Sequence, residues 1–451
     1  MNASEVRAAI TLASVYVLRM LGLFMVIPVL AIAAVEYPDY SPLLVGLAIG
    51  GYGLTQAILQ IPMGILSDKW GRKPVIYLGL SFFALGSIIA ATADTMTMLT
   101  VGRVLQGAGA IAGAVMALAT DVTRESERAK VMAIIGVSIG FSFYLALLVG
   151  PVIAGMFGLS GIFWITAVLT ICCIPLIKFG VATPAQQTPA GDTIPRRNQL
   201  KSLLIDSNLW RLNLSVLIVH MLITCFFVQV PTLLSEADFG LNEHWKIYTP
   251  ILLISVLVLV VLMKLGARVP TGITFIFSLL LMSFGFGLFL LPDLDWKLIT
   301  LAGILFFAGF NYMEAHMPAL VSSIAPAGRK GSAMGIYASH QFFGAFLGGV
   351  LSGVLTQWME ADTAIYACLL VIFIGMILAA GIQSAKRVKR VTLKIPAGAA
   401  WTKETDYSNI QQALSSIEQV HDVSIDLVEQ AIYLKVDSKG FDLEQAKALI
   451  Q

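Results

Sequence analysis

The sequence predicts an all-α membrane protein of twelve transmembrane helices in two six-helix halves, followed by a small α+β domain. Three observations carry this prediction. The 451 residues are 57% hydrophobic and only 12% charged, where a soluble globular chain carries about 25% charged residues. Apolar runs long enough to cross a bilayer recur along the chain. Charge is also segregated: Lys386 to Gln451 holds 18 of the 29 basic and 27 acidic side chains.

A membrane helix needs about 20 apolar residues, and such runs fall near 8–34, 42–66, 75–93, 97–119, 130–156, 161–178, 209–234, 247–264, 272–291, 298–323, 332–357 and 363–384. None alternates as a barrel strand would, so helices are the structures that can satisfy the backbone in lipid. The segment before the first run, Met1 to Arg7, lacks the cleavage pattern of a removable signal peptide. Orientation follows from the loop cations. One side collects Lys69, Arg72, Lys73, Arg124, Arg128, Lys130, Lys178, Arg196, Arg197, Lys201, Lys264, Arg268, Arg329 and Lys330, and the other only Lys246 and Lys297. Both termini are therefore expected in the cytoplasm.

The longest internal loop carries Pro184, Pro189, Pro195 and the pair Arg196-Arg197 and reads as a linker between halves. Its end, Leu200 to Ile205, is expected to be a short surface helix. The expected domains are a six-helix bundle over 1–179, a linker over 180–208, a second bundle over 209–388 and the polar domain over 391–451. A faint repeat supports the division, since Phe24 to Leu30 parallels Phe227 to Leu233 around Pro28 and Pro231. Cys172, Cys173, Cys225 and Cys368 lie in apolar runs without metal-ligand spacing and read as packing residues. No cofactor or metal is called for.

The loop after the second run, Gly64-Ile65-Leu66-Ser67-Asp68-Lys69-Trp70-Gly71-Arg72-Lys73, packs four charges and two glycines, Gly64 and Gly71, into a membrane reversal. Gly64 and Asp68 are four apart and share a helix face, so the glycine admits a neighbouring helix beside the acid. A carboxylate there is stabilised by a helix N-terminus or an arginine. Arg72 follows four residues on, and Asp121 with Arg124 forms a second cluster on the same side. A tight reversal with solvated charges is the competing reading. The spacing resembles the loop signature of the major facilitator superfamily of secondary transporters. That resemblance implies a conformational lock of the outward-facing state in which Asp68 contacts the start of span eleven near Gly331-Ser332-Ala333, with Asp121 as the loop's other partner. In the second half Met263 stands where the acid would fall, so the lock is expected on one side only.

Two further signatures resemble the superfamily. Leu99 to Arg103 with Gln106-Gly107-Ala108-Gly109 resembles the span-four signature, whose arginine is linked to proton transfer. An arginine in hydrocarbon costs at least about 2.5–3.5 kcal/mol, and snorkelling of Arg103 to the interface is the alternative. Gly150-Pro151 with Gly155 and Gly158 in span five, together with Leu21-Gly22 and Pro28, looks like the proton-antiporter branch that includes drug exporters, although Ala146 replaces an expected glycine. Proline frees a helix carbonyl and glycines permit close approach.

Ionisable residues away from the water boundaries are Arg19, Arg103, His220 and Glu314, with His316 and His340 as further candidates. The first four fall in spans one, four, seven and ten, which line the central cavity in the superfamily. Glu314 is the one acid well inside a span, where low dielectric favours a proton-binding carboxyl; pairing with a neighbour to support the fold competes with that role. Asn311 shares its face, whereas His316 points elsewhere.

In the tail, Lys386 to Arg390 is expected to anchor span twelve at the lipid surface. Beyond it, strand 391–395, helix 407–417, strands 420–425 and 431–436 and helix 442–450 give a β-α-β-β-α order resembling a ferredoxin-like domain. Pro396 to Ala400 holds no cysteine, so metal transfer of the related heavy-metal domains is not expected. The tail is acidic from Val391 on, with no basic surface for nucleic acid; a ligand-sensing or self-associating module fits. The expected whole is a proton-coupled exporter of small amphipathic molecules in a bacterial inner membrane. An uncoupled facilitator, or a membrane sensor signalling through the tail, are the alternatives.

Overall fold

The computed structural model describes residues 1–182, 197–384, 388–395, 404–427, 430–437 and 440–450. The first half comprises α1 (Ala3–Met25), α2 (Ile27–Ala33), α3 (Pro42–Trp70), α4 (Arg72–Ala91), α5 (Met96–Gly107), α6 (Ala112–Asp121) and α7 (Glu125–Gly180). A linker helix, α8 (Arg197–Ile205), leads to α9 (Ser207–Glu236), α10 (Trp245–Gly266), α11 (Thr271–Leu288), α12 (Trp296–Ile324), α13 (Lys330–Trp358) and α14 (Ala361–Ala380). Among the described residues eleven helices are long and apolar enough to cross a membrane.

One of these is two spans. A straight helix of 56 residues would be about 84 Å long, against a hydrocarbon layer of about 30 Å. The run α7 breaks at Gly158, whose φ of 67° is non-helical and suits a residue without Cβ. Gly158, the last residue of the span-five glycine motif, falls between the runs 130–156 and 161–178 read from sequence and is the reversing residue between spans five and six. Two other spans are interrupted. Span one divides into α1 and α2 at Val26, two residues before Pro28, and span four divides into α5 and α6 across residues 108–111. The second break leaves the Gly109 carbonyl available to a side chain.

Each half buries its own core, with Leu12, Leu80, Phe83 and Leu118 in the first and Phe226, Phe227, Phe286, Phe306 and Phe307 in the second. Large apolar side chains such as Leu253, Leu257, Val261, Phe284 and Phe373 project outward, which is stable against acyl chains and not against water. The halves meet along α3 and α13. A Cβ on Gly46 would stand 2.1 Å from the Gly349 carbonyl oxygen, and one on Gly53 would stand 2.5 Å from that of Phe342. Ser339 Oγ donates to the Ala57 carbonyl at 2.9 Å further along the same seam. Backbones this close require glycine on both helices.

The tail folds as expected, with β1 (Val388–Lys394), α15 (Glu404–Ser415), β2 (Val420–Asp426), β3 (Ala431–Asp437) and α16 (Leu443–Ala448). The antiparallel sheet runs β1-β3-β2, with Leu434 opposite both Val391 and Val423. Leu414, Ile432, Leu434, Val436 and Ala446 form its core.

The basic run differs from the sequence reading. Lys386 and Arg387 lie outside the described residues, and Arg390 is a strand residue rather than a lipid anchor. Its guanidinium donates to the carbonyls of Ser322, Ala325 and Pro326 at the end of α12. Lys435, its partner across β1 and β3, donates to the Ile324 carbonyl at 3.1 Å. Two cations directly opposite one another would repel; the unsatisfied carbonyls of a helix C-terminus give them an acceptor. The Ala327 amide donates to Asp422 at 2.7 Å.

Candidate functional site

Glu314 sits mid-span on α12, three helical turns from the carbonyls that Arg390 caps. Its side chain is 37% exposed although Met313 and Tyr312 beside it are buried, while its Oε2 atom is itself buried. Gln341 Nε2 on α13 donates to Glu314 Oε1 at 3.2 Å and lies 2.7 Å from His220 Nε2 on α9. The second carboxylate oxygen, Oε2, is 3.7 Å from that imidazole and has no hydrogen-bond partner among the described residues. Tyr337, also on α13, is buried within reach of the Glu314 charge. The His220 Nδ1 is held 3.1 Å from the Val216 carbonyl, which fixes that nitrogen as the donor and leaves Nε2 toward the pair.

The other sequence candidates are distributed differently. Asn311 turns to α10, donating to Ser255 Oγ at 3.2 Å, so the structure does not bring it to the Glu314 carboxylate. His316 stacks on Tyr312 with ring centroids 4.1 Å apart. In the first half Arg103 is 1% exposed and donates to the Ala48 carbonyl and Gln106 Oε1; it does not snorkel to the interface. Gln106 is fixed in turn by Ser87 at 2.7 Å. Arg19 is equally buried, and its Nη2 donates to the Gly109 carbonyl at 2.7 Å and to Tyr52 Oη at 3.2 Å.

At the loop, Gly71 takes φ 93° between α3 and α4, and Arg72 folds back beneath it. Its Nη1 donates to Asp68 at 2.6 Å and its Nε to Asp121 at 3.0 Å. One buried guanidinium thereby ties the ends of α3, α4 and α6. Lys73 donates to the Val181 carbonyl at 2.6 Å. Arg124 stands apart from this cluster: it holds Glu5 near the start of α1 through Nε at 2.8 Å and Nη2 at 3.0 Å. At the start of α13, Ser332 donates to Gln199 of the linker helix at 2.7 Å. In span five, Gly150 faces the Met25 carbonyl and Gly155 faces Asn242 of the other half, where Cβ atoms would stand 2.6 and 3.0 Å away. Pro151 lies between them on α7.

Gln341, Tyr52 and Gln56 were not singled out from sequence. The signal available for Gln341 was an amide next to His340 inside a membrane-length run, and for the other two a four-residue spacing on α3.

Two membrane-embedded helical halves that meet along α3 and α13 are the architecture of a multi-pass membrane transporter. The Major Facilitator Superfamily model matches residues 12–340, and the chain belongs to that family. It is 37% identical over 453 residues, 99% of this chain and 98% of its relative, to the inner membrane transport protein YajR of Escherichia coli (strain K12). It is 31% identical over 192 residues to the multidrug resistance protein MdtL of Escherichia coli O139:H28 (strain E24377A / ETEC), covering 42% of this chain and 49% of that one. The solved structure of a bacterial homologue of the human lysosomal transporter Spinster, inward-facing and occupied, superimposes with TM-score 0.67 at 15% identity. That likeness covers 84% of this chain and 97% of the other and shows the fold alone. The protein is a multi-pass membrane transporter, not an enzyme.

Proposed function

We propose that this transporter is a proton-coupled exporter of small amphipathic molecules, working by alternating access between its halves in a bacterial inner membrane with both termini cytoplasmic. The observation that carries the reading is Glu314, a mid-span carboxyl with one oxygen hydrogen-bonded to Gln341 and the other 3.7 Å from His220. Protonation of the carboxylate removes the charge that attracts an imidazolium and changes what Gln341 can donate to, so proton binding is linked to the packing of α9, α12 and α13. The Asp68–Arg72–Asp121 cluster is the conformational lock of this reading, engaging the start of α13 in one state of the cycle and releasing it in the other. The inner-membrane assignment rests on the similarity to YajR, and export on the likeness to MdtL over part of the chain.

The test is flux in proteoliposomes with and without an imposed pH gradient, for the wild type and Glu314→Gln. The variant is expected to fold, judged by size exclusion and helical circular dichroism, and to lose gradient-driven flux. Coupling equal to wild type in Glu314→Gln would remove the carboxyl from the mechanism.

A further inference from the structure

The first half buries positive charge without a matching acid. Arg19 and Arg103 are each 1% exposed and flank Tyr52, whose hydroxyl accepts from Arg19 and whose ring lies 5.2 Å from the Arg103 guanidinium carbon. Arg103 is engaged by a carbonyl and an amide oxygen. Arg19 is not fully engaged. All its hydrogen bonds come from Nη2, to Tyr52, Gln56 and Gly109, while Nε and Nη1 are buried with no partner among the described residues. Its remaining support is the Phe83 ring, 5.3 Å from the guanidinium carbon. Neither arginine forms an ion pair with a carboxylate of a described residue. A buried guanidinium with two idle nitrogens is costly, and a carboxylate or phosphate offers the acceptor geometry it lacks.

We infer that Arg19 is the receptor for an anionic group of the transported molecule, which would make the amphipathic substrate an organic anion. This deepens the transport reading above and rests on it. Two features of the surroundings fit a substrate site better than a structural arginine. Tyr52, Gln56 and Gln60 recur every four residues and form a hydrogen-bonded polar file on α3, with Gln56 donating to Gln60 at 3.1 Å. The file leads from Arg19 toward the Asp68 end of the helix. Tyr52 also touches Phe342 of α13, with centroids 6.2 Å apart, so the cover over Arg19 belongs partly to the opposite half and lifts when α3 and α13 separate. With cations in the first half and Glu314 in the second, the carboxyl is left to carry the proton rather than to bind a cationic substrate.

The test is thermal unfolding of the purified full-length protein in detergent. The probes are sodium benzoate, octyl phosphate and tetraphenylphosphonium chloride, each against sodium chloride at equal ionic strength. The anionic probes are expected to raise the wild-type midpoint by at least about 2 °C, with tetraphenylphosphonium giving no rise. Arg19→Gln is expected to weaken the anion response about tenfold in apparent affinity, and Arg19→Lys to fall between. Gln56→Glu guards against a variant that does not fold: it places a carboxylate beside Nη2 and should raise the midpoint without ligand while abolishing the anion response. The inference is overturned if no anionic probe stabilises the wild type, if only the cation does, or if Arg19→Gln or Gln56→Glu responds to anions as the wild type does. Equilibrium binding uses no gradient. Anion binding by a wild type that shows no pH-driven flux would therefore sink proton coupling alone.

Discussion

The seam between α3 and α13 is the place where one added methyl group should move the whole molecule. A Cβ at Gly46 would lie 2.1 Å from the Gly349 carbonyl oxygen and 3.1 Å from the Gly353 Cα. Ordinary contact begins near 3.4 Å, so Gly46→Ala is short by about 1.3 Å against atoms that cannot rotate aside. Overpacking of this kind costs about 1–3 kcal/mol, and the cost falls only on the state in which the helices touch. The ratio of the separated state to the closed one should then rise about 5–150-fold. Spin labels at Tyr40 and Met359, both exposed at that end of the seam, report the change as growth of a longer-distance population. Gly349→Ala, whose Cβ would meet the Gly46 carbonyl at 2.4 Å, should act in the same direction. The double variant should fall short of the sum, because separation forced by one methyl makes room for the other. Gly140→Ala, with nothing within 4 Å, is the control. An unchanged distance distribution in Gly46→Ala, or an equal shift in Gly140→Ala, would refute the reasoning.

Three further outcomes are expected. Asp68→Asn should shift the same spin-label distribution while leaving the ligand-induced stabilisation profile unchanged; a changed ligand preference would place Asp68 in the binding site. Arg390→Ala should cost at least about 2 kcal/mol of tail docking, since hydrogen bonds to charged groups contribute about 1.5–3 kcal/mol each, and hydrogen exchange of β1 should accelerate without change in the helices of the bundle. Asp39 caps α5, accepting from the Met96 and Thr97 amides and the Thr97 hydroxyl, and the Thr97 hydroxyl chiefly holds its carboxyl below the usual carboxylate range. That stabilisation is complete above the unfolded carboxyl value of about 3.9 and is lost as pH falls through the lower folded value. The midpoint difference between wild type and Asp39→Asn should therefore shrink on acidification below about pH 4.

What could be read from sequence followed from signals that are local and repeated. Membrane-length apolar runs gave the spans, and short runs beyond the last span gave the β-α-β-β-α order of the tail. Glu314 stood out because an acid inside hydrocarbon is rare. The readings that changed depended on distant partners. Arg390 was read as a lipid anchor because composition cannot show that the end of a helix 68 residues away needs its donors. Arg124 was grouped with Asp121 by proximity in sequence, yet its carboxylate, Glu5, is 119 residues away. Gln341 bears no charge and joins no motif, so its contact with two ionisable residues from two other helices became visible only in three dimensions.

These long-range contacts converge on one helix. At its start α13 is tied through Ser332 to the linker helix. About two and a half turns on, Gln341 meets Glu314 and His220, and the next residue, Phe342, covers the Tyr52 that receives Arg19. Two turns further, Gly349 lies against Gly46. A helix transmits displacement along its length because every residue is fixed to the next turn by backbone hydrogen bonds, and no proline interrupts α13. On the alternating-access reading proposed above, closing or opening the glycine seam would alter the geometry at Gln341 and at Tyr52 together. Conversely, a change in what Gln341 can donate to biases the seam, because linkage between two sites on one rigid body is reciprocal. The acid in the second half and the cations in the first are thus read by the same element, although no ion pair between described residues joins them.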